Sequence, residues 1–388
     1  MENKNNSKKE QSVQTGYYLI KLLRAVLDGS TPEEMPADVT IKQLNQLAKR
    51  HNLDHMAYVG VCQIPGIQMG EELLKWQKRS MQCAMQGVVQ MRERDRIYQF
   101  LTEAGVRILP LKGCLIKEMY PKQEYRQMSD LDILIDDSNA EKVRDLMEEN
   151  GYVTDDFGNC YHDGYIKKPW TRVEIHRNML PKEVDNAKKY KNIWDCAYEE
   201  TPGCGRYLLN WDDFYIYMLE HFAKHFREGG SGIRSVMDIH VFLQKKGTEL
   251  HEEYLEKRLK KLRLWDFKNR VEQLADDWLR KGVTGAHTKL EEMIILSGAY
   301  GAKELRYVLR TEYFKEKYHF TWAAKLCYMG EMVFLNYDGM CILYPVLERV
   351  PILLPFFWVH RIIKVICTRQ QKVRNIYAKM KKDDKNRR

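Results

Sequence analysis

The sequence lacks the features of an exported or disulfide-stabilised protein. Its nine cysteines are odd in number and scattered, and none forms a Cys-x-x-Cys pair. This pattern excludes a disulfide framework and a cysteine-based zinc site, and it favours free thiols without disulfide partners in a reducing cytoplasm. The cysteines are Cys62, Cys83, Cys114, Cys160, Cys196, Cys204, Cys327, Cys341 and Cys367.

Long apolar runs are also missing. No stretch reaches the roughly 18 uninterrupted apolar residues that a membrane-spanning helix requires. Residues 1–14 are polar and have no apolar segment of the kind found in secretory signals, so we predict a disordered tail there.

The composition that is present suits a protein with a substantial core. Hydrophobic residues make up 44% of the 388 residues and charged residues 30%, and the length predicts two packed units. The net charge is +9, and residues 372–388 contribute eight Lys/Arg against two Asp. Such a basic tail either binds nucleic acid or an anionic membrane, or is a solvated terminus.

The order of periodic segments predicts a small α/β unit between flanking N-terminal and C-terminal helical regions. Residues 15–104 are predicted to be helical, 105–180 to form the α/β core, and 181–335 to form a helical domain. Residues 336–371 form an apolar and basic C-terminal segment, followed by the basic tail at 372–388. Within this plan we predict strands near 106–109, 130–135, 161–166 and 170–176.

Three local patterns carry further predictions. A helix over residues 70–104 has a Met-rich apolar stripe, including Met81 and Met85, that we expect to pack in the core. Ser138 and Glu141 form a candidate capping box for the helix that follows. Residues 342–367 combine aromatic, apolar and basic side chains, so they either lie on a membrane surface or form a closing helix packed on the protein.

An Asp-x-Asp pair is the centre of the predicted chemistry. Alternate residues of a strand share a face, so Asp130 and Asp132 point the same way. Two such carboxylates repel each other unless a cation lies between them, and oxygen ligands suit Mg²⁺ or Mn²⁺. Glu174 lies on a later predicted strand, where it could complete the metal site or accept a proton. A solvated acidic edge is the alternative.

Basic residues surround this pair in the sequence. Lys112 and Gly113 end a strand and begin a helix, where backbone N–H groups and a lysine charge could hold a triphosphate. Arg126 either binds a phosphate or holds the acidic strand end through a bidentate pair. His176 shares a predicted strand face with Glu174, and it either orients a carboxylate, contacts phosphate or is structural.

A helix further along carries a second group of polar residues. His221 and His225 are four residues apart, so they share a helix face and could hold a metal. Lys224 and Arg234 are candidates for substrate or phosphate contacts. The alternative is a set of surface side chains near the cleft.

These motifs resemble the nucleotidyltransferase superfamily that includes DNA polymerase beta and the aminoglycoside nucleotidyltransferases. The chain is most similar to a bacterial family described as uncharacterised nucleotidyltransferases. The matching residues are Pro110-Leu111-Lys112-Gly113, Tyr120-Pro121, Arg126, Ser129-Asp130-Leu131-Asp132-Ile133-Leu134-Ile135, Asn150-Gly151-Tyr152, Val173-Glu174-Ile175-His176, His221-Phe222-Ala223-Lys224-His225, Arg234 and Asp238-Ile239. The superfamily turn is usually Gly-Gly or Gly-Ser, whereas this chain has Lys112-Gly113-Cys114.

The resemblance implies an α+β fold, a mixed β-sheet core with helices, in which Asp130, Asp132 and Glu174 bind a divalent metal and act in catalysis. Lys112, Gly113 and Arg126 are the candidate nucleotide-binding residues. It implies transfer of a nucleoside monophosphate from an NTP such as ATP to a hydroxyl, with release of pyrophosphate. The acceptor could be a small molecule, a sugar, a protein or RNA. The alternatives are an inactive nucleotide-binding protein and a scaffold at the inner membrane face that makes contact through residues 342–388.

Overall fold

The computed structural model describes residues 2–158, 162–179, 193–299, 321–335 and 346–368, together with single positions between 301 and 344. The chain divides into two compact units, Met1–Arg310 and Thr311–Arg388, which we call the first and second units. The predicted basic tail at 372–388 lies outside the described residues. The finer subdivision of the first 335 residues stays a prediction.

Four helices begin the first unit. They are α1 (Glu2–Asp28), α2 (Ile41–Arg50), α3 (Asp54–Cys62) and α4 (Glu71–Glu103). Thr40 fixes the start of α2 through a capping box, since its hydroxyl accepts the Gln43 N–H and the Gln43 side chain accepts the Thr40 N–H. The helices bury a shared core that includes Leu22, Leu44 and Trp76.

A five-stranded mixed sheet follows, in the order β1-β2-β5-β4-β3. Its strands are β1 (Ile108–Pro110), β2 (Leu131–Ile135), β3 (Val153–Asp156), β4 (His162–Lys167) and β5 (Thr171–His176). β2 and β5 run parallel to each other, and all other neighbours are antiparallel. Helix α5 (Lys112–Met119) connects β1 towards β2, and α6 (Ala140–Glu149) leads to β3. The predicted α+β fold is confirmed.

Alternation along the central strands separates apolar from acidic side chains. Leu131 and Ile133 of β2 pack with Val173 and Ile175 of β5 in one apolar cluster. Asp132 lies between two of these buried residues, so it points to the opposite face of the sheet. The same burial pattern that anchors β2 therefore presents its carboxylate to the site.

The helices of the second half of the first unit are α7 (Trp211–Gly229), α8 (Ile233–Lys246), α9 (Glu252–Lys261), α10 (Trp265–Ala275) and α11 (Thr288–Ser297). A π-helical turn, Asp276–Lys281, continues α10. A small hairpin of β6 (Ala197–Glu199) and β7 (Tyr207–Leu209) precedes them. The glycine-rich sequence Gly229-Gly230-Ser231-Gly232 runs from the end of α7 to the start of α8.

His51 joins three of these helical segments. Its Nδ1 accepts the Ile233 N–H at 3.0 Å, so its Nε2 carries the hydrogen that is donated to the Ile295 carbonyl at 3.0 Å. The backbone approaches so closely that a Cβ at Gly232 would lie 2.5 Å from the His51 ring. His51 is fully buried, and its two hydrogen bonds connect the end of α2 to the start of α8 and to the end of α11.

The second unit contains α12 (Thr321–Val333), α13 (Val346–Arg349) and α14 (Leu354–Thr368) among its described residues. Its described core is small: Met340 and Leu347 are buried, and Phe357 and Trp358 pack against them. The Trp358 indole donates to the Leu335 carbonyl at 2.8 Å. Among the described residues of the whole chain, no helix combines the length and apolarity needed to cross a membrane.

Several local predictions need correction. Helix α1 begins at Glu2, so residues 2–14 belong to a helix and not to a disordered tail. Ser138 lies in a short 3₁₀ turn, and α6 follows Asn139 without a side-chain cap, so the predicted capping box was wrong. Met81 and Met85 are exposed, because only the opposite face of α4 is covered.

Candidate active site

Two parallel strands bring three potential ligands together. Asp132 of β2 lies directly opposite Glu174 of β5, and His176 follows two residues later on the same face of β5. One ligand atom from each of these residues lies within 4.8 Å of the other two. The sequence placed all three near the site, and the parallel pairing of β2 with β5 is what joins them.

Hydrogen bonding orders this group. His176 Nε2 lies 3.2 Å from Asp132 Oδ1 and 3.9 Å from Glu174 Oε2. A carboxylate can only accept, so Nε2 carries a hydrogen towards Asp132. His176 therefore orients the Asp132 carboxylate, and its Nε2 would have to lose this hydrogen before it could bind a metal.

Asp130 immediately precedes β2, and its carboxyl group is affected by the charges of Asp132 and Glu174. Burial raises its pKa to about 7, helped by the negative charges of Asp132 and Glu174. Burial also acts to raise the pKa of Asp132, but the His176 hydrogen bond and the Lys112 charge outweigh it and the pKa is lowered. Acidic groups crowded in this way favour a cation between them. Two carboxylates and an imidazole within 4.8 Å of one another fit a divalent metal.

His162 is a member of the site that the sequence interpretation missed. It lies on β4 opposite His176, with the two ring centres 5.3 Å apart. Its Nε2 is 3.7 Å from Glu174 Oε2. The signal that could have found it is the alternation of β4, since His162 and Gly164 are the residues that pair with His176 and Glu174.

The Lys112-Gly113 turn lies beside the acidic strand. Helix α5 begins at Lys112, and the Leu111 N–H donates to the Asp132 carbonyl at 3.0 Å, which fixes the helix start against β2. Gly113 is buried, and a Cβ there would lie 3.4 Å from the Met128 sulfur. The start of α5 thus directs its first N–H groups and a lysine to the neighbourhood of Asp132.

A chain of hydrogen bonds holds the Lys112 ammonium group. Its Nζ donates to His221 Nδ1 at 2.6 Å, so His221 carries its hydrogen on Nε2, 3.2 Å from His225 Nε2. Burial lowers the pKa of Lys112 to about 8 and that of His225 to about 3, and it lowers the pKa of His221 well below its usual value. Both histidines are therefore neutral near neutral pH, and their hydrogen bonds to Lys112 and to each other require no metal.

Arg126 makes a buried bidentate ion pair, but with Asp238 of α8 and not with the acidic strand. Its Nε and Nη2 donate to the two Asp238 oxygens at 2.8 Å each, and its Nη1 donates to the Gly113 carbonyl at 3.2 Å. The Tyr120 hydroxyl donates to the same carboxylate at 2.9 Å. Arg126 therefore holds the Lys112-Gly113 turn against α8. Its partner is 112 residues away in sequence.

Two further cations lie around the site. Arg234 of α8 donates to the Gln127 carbonyl at 2.9 Å, and its charge acts to lower the pKa of Asp130. Lys224 of α7 is half-buried and its charge helps to lower the pKa of His221. The acidic group is thus bordered by Lys112 and Arg234, with Lys224 close to His221, a distribution that suits an anionic ligand bound together with a cation.

A comparison with protein families shows to which family the chain belongs. The model of a family described as uncharacterised nucleotidyltransferases matches residues 37–280, more than half of the chain. The chain belongs to the uncharacterised nucleotidyltransferase family. The match includes the whole candidate site, from Lys112 to Asp238, and leaves the second unit outside. No curated protein and no solved structure matches the chain.

Proposed function

We propose that the protein is a divalent-metal-dependent nucleotidyltransferase that moves a nucleoside monophosphate from an NTP to a hydroxyl group of an acceptor and releases pyrophosphate. The observation that carries this proposal is the register of Asp132 with Glu174 on parallel strands, with His176 beside them. Asp130 lies outside this group of three, but burial and the charges of Asp132 and Glu174 raise its pKa. In this reaction the acceptor oxygen bonds to the α-phosphorus, and the bond from that phosphorus to the pyrophosphate oxygen breaks. The acceptor proton passes to a carboxylate of the site.

Asp130, Asp132 and Glu174 are the proposed metal ligands, and Mg²⁺ or Mn²⁺ suits their oxygen atoms. His176 supports them by its hydrogen bond to Asp132. A divalent cation held there would neutralise phosphate oxygens and stabilise the charge that develops during in-line displacement. The proximity of three carboxylates, two of them in direct register, supports this assignment.

We propose that the triphosphate lies over the start of α5. The N–H groups of Gly113 and its neighbours and the Lys112 ammonium would contact it there. His221 and His225 act as positioning residues, because their hydrogen-bonded chain fixes where the Lys112 ammonium is held. Arg126 positions the turn through Asp238, and Lys224 and Arg234 supply further positive charge.

The proposed site of action is the cytoplasm, which agrees with the free thiols of the described cysteines. ATP is the first nucleotide to test, followed by the other NTPs. The acceptor is a small molecule, a sugar, a protein or RNA that carries a hydroxyl group.

The test is calorimetric titration of the full chain with each NTP, with Mg²⁺, with Mn²⁺ and without either. We expect metal-dependent binding that weakens by about a hundredfold in Asp130→Asn/Asp132→Asn, because the charges that hold the cation are removed. The matched control is Glu141→Gln/Asp145→Asn, which removes two exposed charges from α6 and should bind like the wild type.

Two results would count against the proposal. Folded wild type that binds no NTP with either metal would favour an inactive scaffold. Equal weakening in the α6 control would show that overall charge, and not this site, controls the affinity. Binding as expected would justify a screen for acceptors, with pyrophosphate release as the readout.

A further inference from the structure

Helix α14 carries an exposed apolar face on one side. Ile352, Phe356, Val359 and Ile363 are 85%, 66%, 56% and 56% exposed, and we call these four residues the outer face. Their spacing of four, three and four residues places them in one row along the helix and the turn before it. The opposite side of α14 faces the small core of the second unit.

Four large apolar side chains in one row are more than the single exposed hydrophobic residues that every surface has. The inner side of α14 is fixed by Phe357 and Trp358, which pack around Met340 and Leu347. The helix therefore cannot turn the outer face inwards without removing these contacts. These contacts therefore hold the row at the surface, where it is available to a partner that is itself apolar.

Basic residues predominate in the sequence from this row onwards. From Val350 to Lys382 the sequence contains eight Lys/Arg and no Asp or Glu. Lys364 lies on α14 beside the outer face and is exposed, as is His360. The fifteen residues of α14 span only about 22 Å, less than the bilayer core, so the helix would lie along a membrane and not across it.

We propose that the outer face of α14 docks on an anionic lipid surface. The four apolar side chains enter the boundary between headgroups and acyl chains, and the basic residues contact the lipid phosphates and carboxylates. Arg361 and Lys364 lie on α14 itself, so a second copy of the chain would bring positive charge against positive charge. A nucleic acid offers no apolar partner for four aliphatic and aromatic side chains. The combination of an apolar row with a basic helix matches an anionic lipid surface best.

Co-sedimentation of the full chain with vesicles tests this proposal. We compare vesicles of phosphatidylcholine alone with vesicles that also contain phosphatidylserine. Binding is expected only with phosphatidylserine and is expected to weaken as salt is added. Phe356→Ser/Ile363→Ser should lower the partition coefficient at least about tenfold, and Lys364→Gln about fivefold.

The matched control is Met85→Ser/Val88→Ser on α4, which removes two exposed apolar residues from the first unit. It should sediment like the wild type. All four substituted apolar residues are exposed, so the variants should keep the wild-type melting temperature. NTP binding should also be unchanged in every variant. A failure of the lipid proposal can therefore be distinguished from a failure of the proposed nucleotidyltransferase function.

Other results would overturn the proposal. Absence of sedimentation with phosphatidylserine vesicles would do so, and so would equal loss in the α4 control. If Phe356→Ser/Ile363→Ser changed the oligomeric state measured by light scattering and left sedimentation unchanged, the outer face would bind a second copy of the chain. Binding to RNA that is insensitive to the same variant would assign the positive charge to nucleic acid instead.

Discussion

The two units use their apolar residues in opposite ways. In the first unit the helices and the sheet share extensive buried clusters, and exposed apolar residues among the described positions concentrate on one side of α4. In the second unit the described core consists of Met340 and Leu347 with a few partly buried partners, while most large apolar side chains that are described are exposed. The first unit therefore has a core that can fix the positions of its strands and helices, whereas the second leaves most of its described apolar side chains in contact with solvent.

The contrast predicts the largest effect for matched aromatic substitutions. Trp76 is fully buried in the first unit, whereas Phe356 of the second is 66% exposed. We expect Trp76→Ala to lower the free energy of unfolding by about 3–5 kcal/mol, and Phe356→Ala to change it by less than about 0.5 kcal/mol. Urea unfolding followed by circular dichroism measures both. Similar losses in the two variants would remove the distinction between the units.

Buried polar groups should sharpen the same contrast. Asp238→Ala leaves the Arg126 guanidinium buried without its partner, at an expected cost of about 3–5 kcal/mol. Asp136→Ala breaks the more exposed pair with Arg107 and should cost at most about 1 kcal/mol. Thermal melting compares the two. If Arg126→Met/Asp238→Leu proved less stable than Asp238→Ala alone, desolvation of the unpaired charge would not be the cause.

Acid should destabilise the first unit through His51. Burial lowers its pKa in the folded protein to about 3 from the usual 6.5, so the unfolded chain binds the proton first as the pH falls. The contribution of His51 to the free energy of unfolding is fully present above about pH 6.5 and is lost as the pH falls towards 3. At pH 5 the loss is about 2 kcal/mol. Denaturation at pH 7 and pH 5 should show a smaller difference for His51→Gln than for wild type. An equal difference would exclude His51 as the source.

The smallest expected effect concerns the positioning of Lys112. His221→Leu removes the Nδ1 acceptor of the Lys112 ammonium and should raise KM for the NTP about tenfold, the usual order for one hydrogen bond to a charged group, with a smaller change in kcat. Sedimentation with vesicles should be unchanged, since the second unit is not altered. His251→Asn, at an exposed histidine paired with Asp212, is the control. A fall in stability without a change in KM would give His221 a structural role only.

Local sequence patterns accounted for much of the fold and for the acidic residues of the site. The alternation that predicted Asp130 and Asp132 on one face is the alternation that buries Leu131 and Ile133. Gly229-Gly230-Ser231-Gly232 lies where α7 ends, because glycine allows the backbone angles and close contacts found there, including φ 99 at Gly230. These features depend on neighbours in sequence.

The errors and omissions depend on contacts that are distant in sequence. The helical period of α4 indicated an apolar side, but it could not show whether another element covers Met81 and Met85. Arg126 gave no sign of its partner at Asp238, and His162 joined the site only because β4 pairs with β5. Strand order and partner choice are decided by the packing of the whole unit, which a local pattern does not contain.

The contacts between α1 and α11 set a minimum size for the folded first unit. Lys9 pairs with Glu292 at 2.6 Å, the Tyr17 hydroxyl donates to Glu291 at 3.2 Å, and a Cβ at Gly16 would lie 2.5 Å from the Ile295 side chain. Both helices lie outside the stretch 37–280 that defines the family. A fragment cut at those limits would lose both α1 and α11 and would expose the apolar side chains that they cover. We therefore expect residues 37–280 alone to be less stable than the whole first unit.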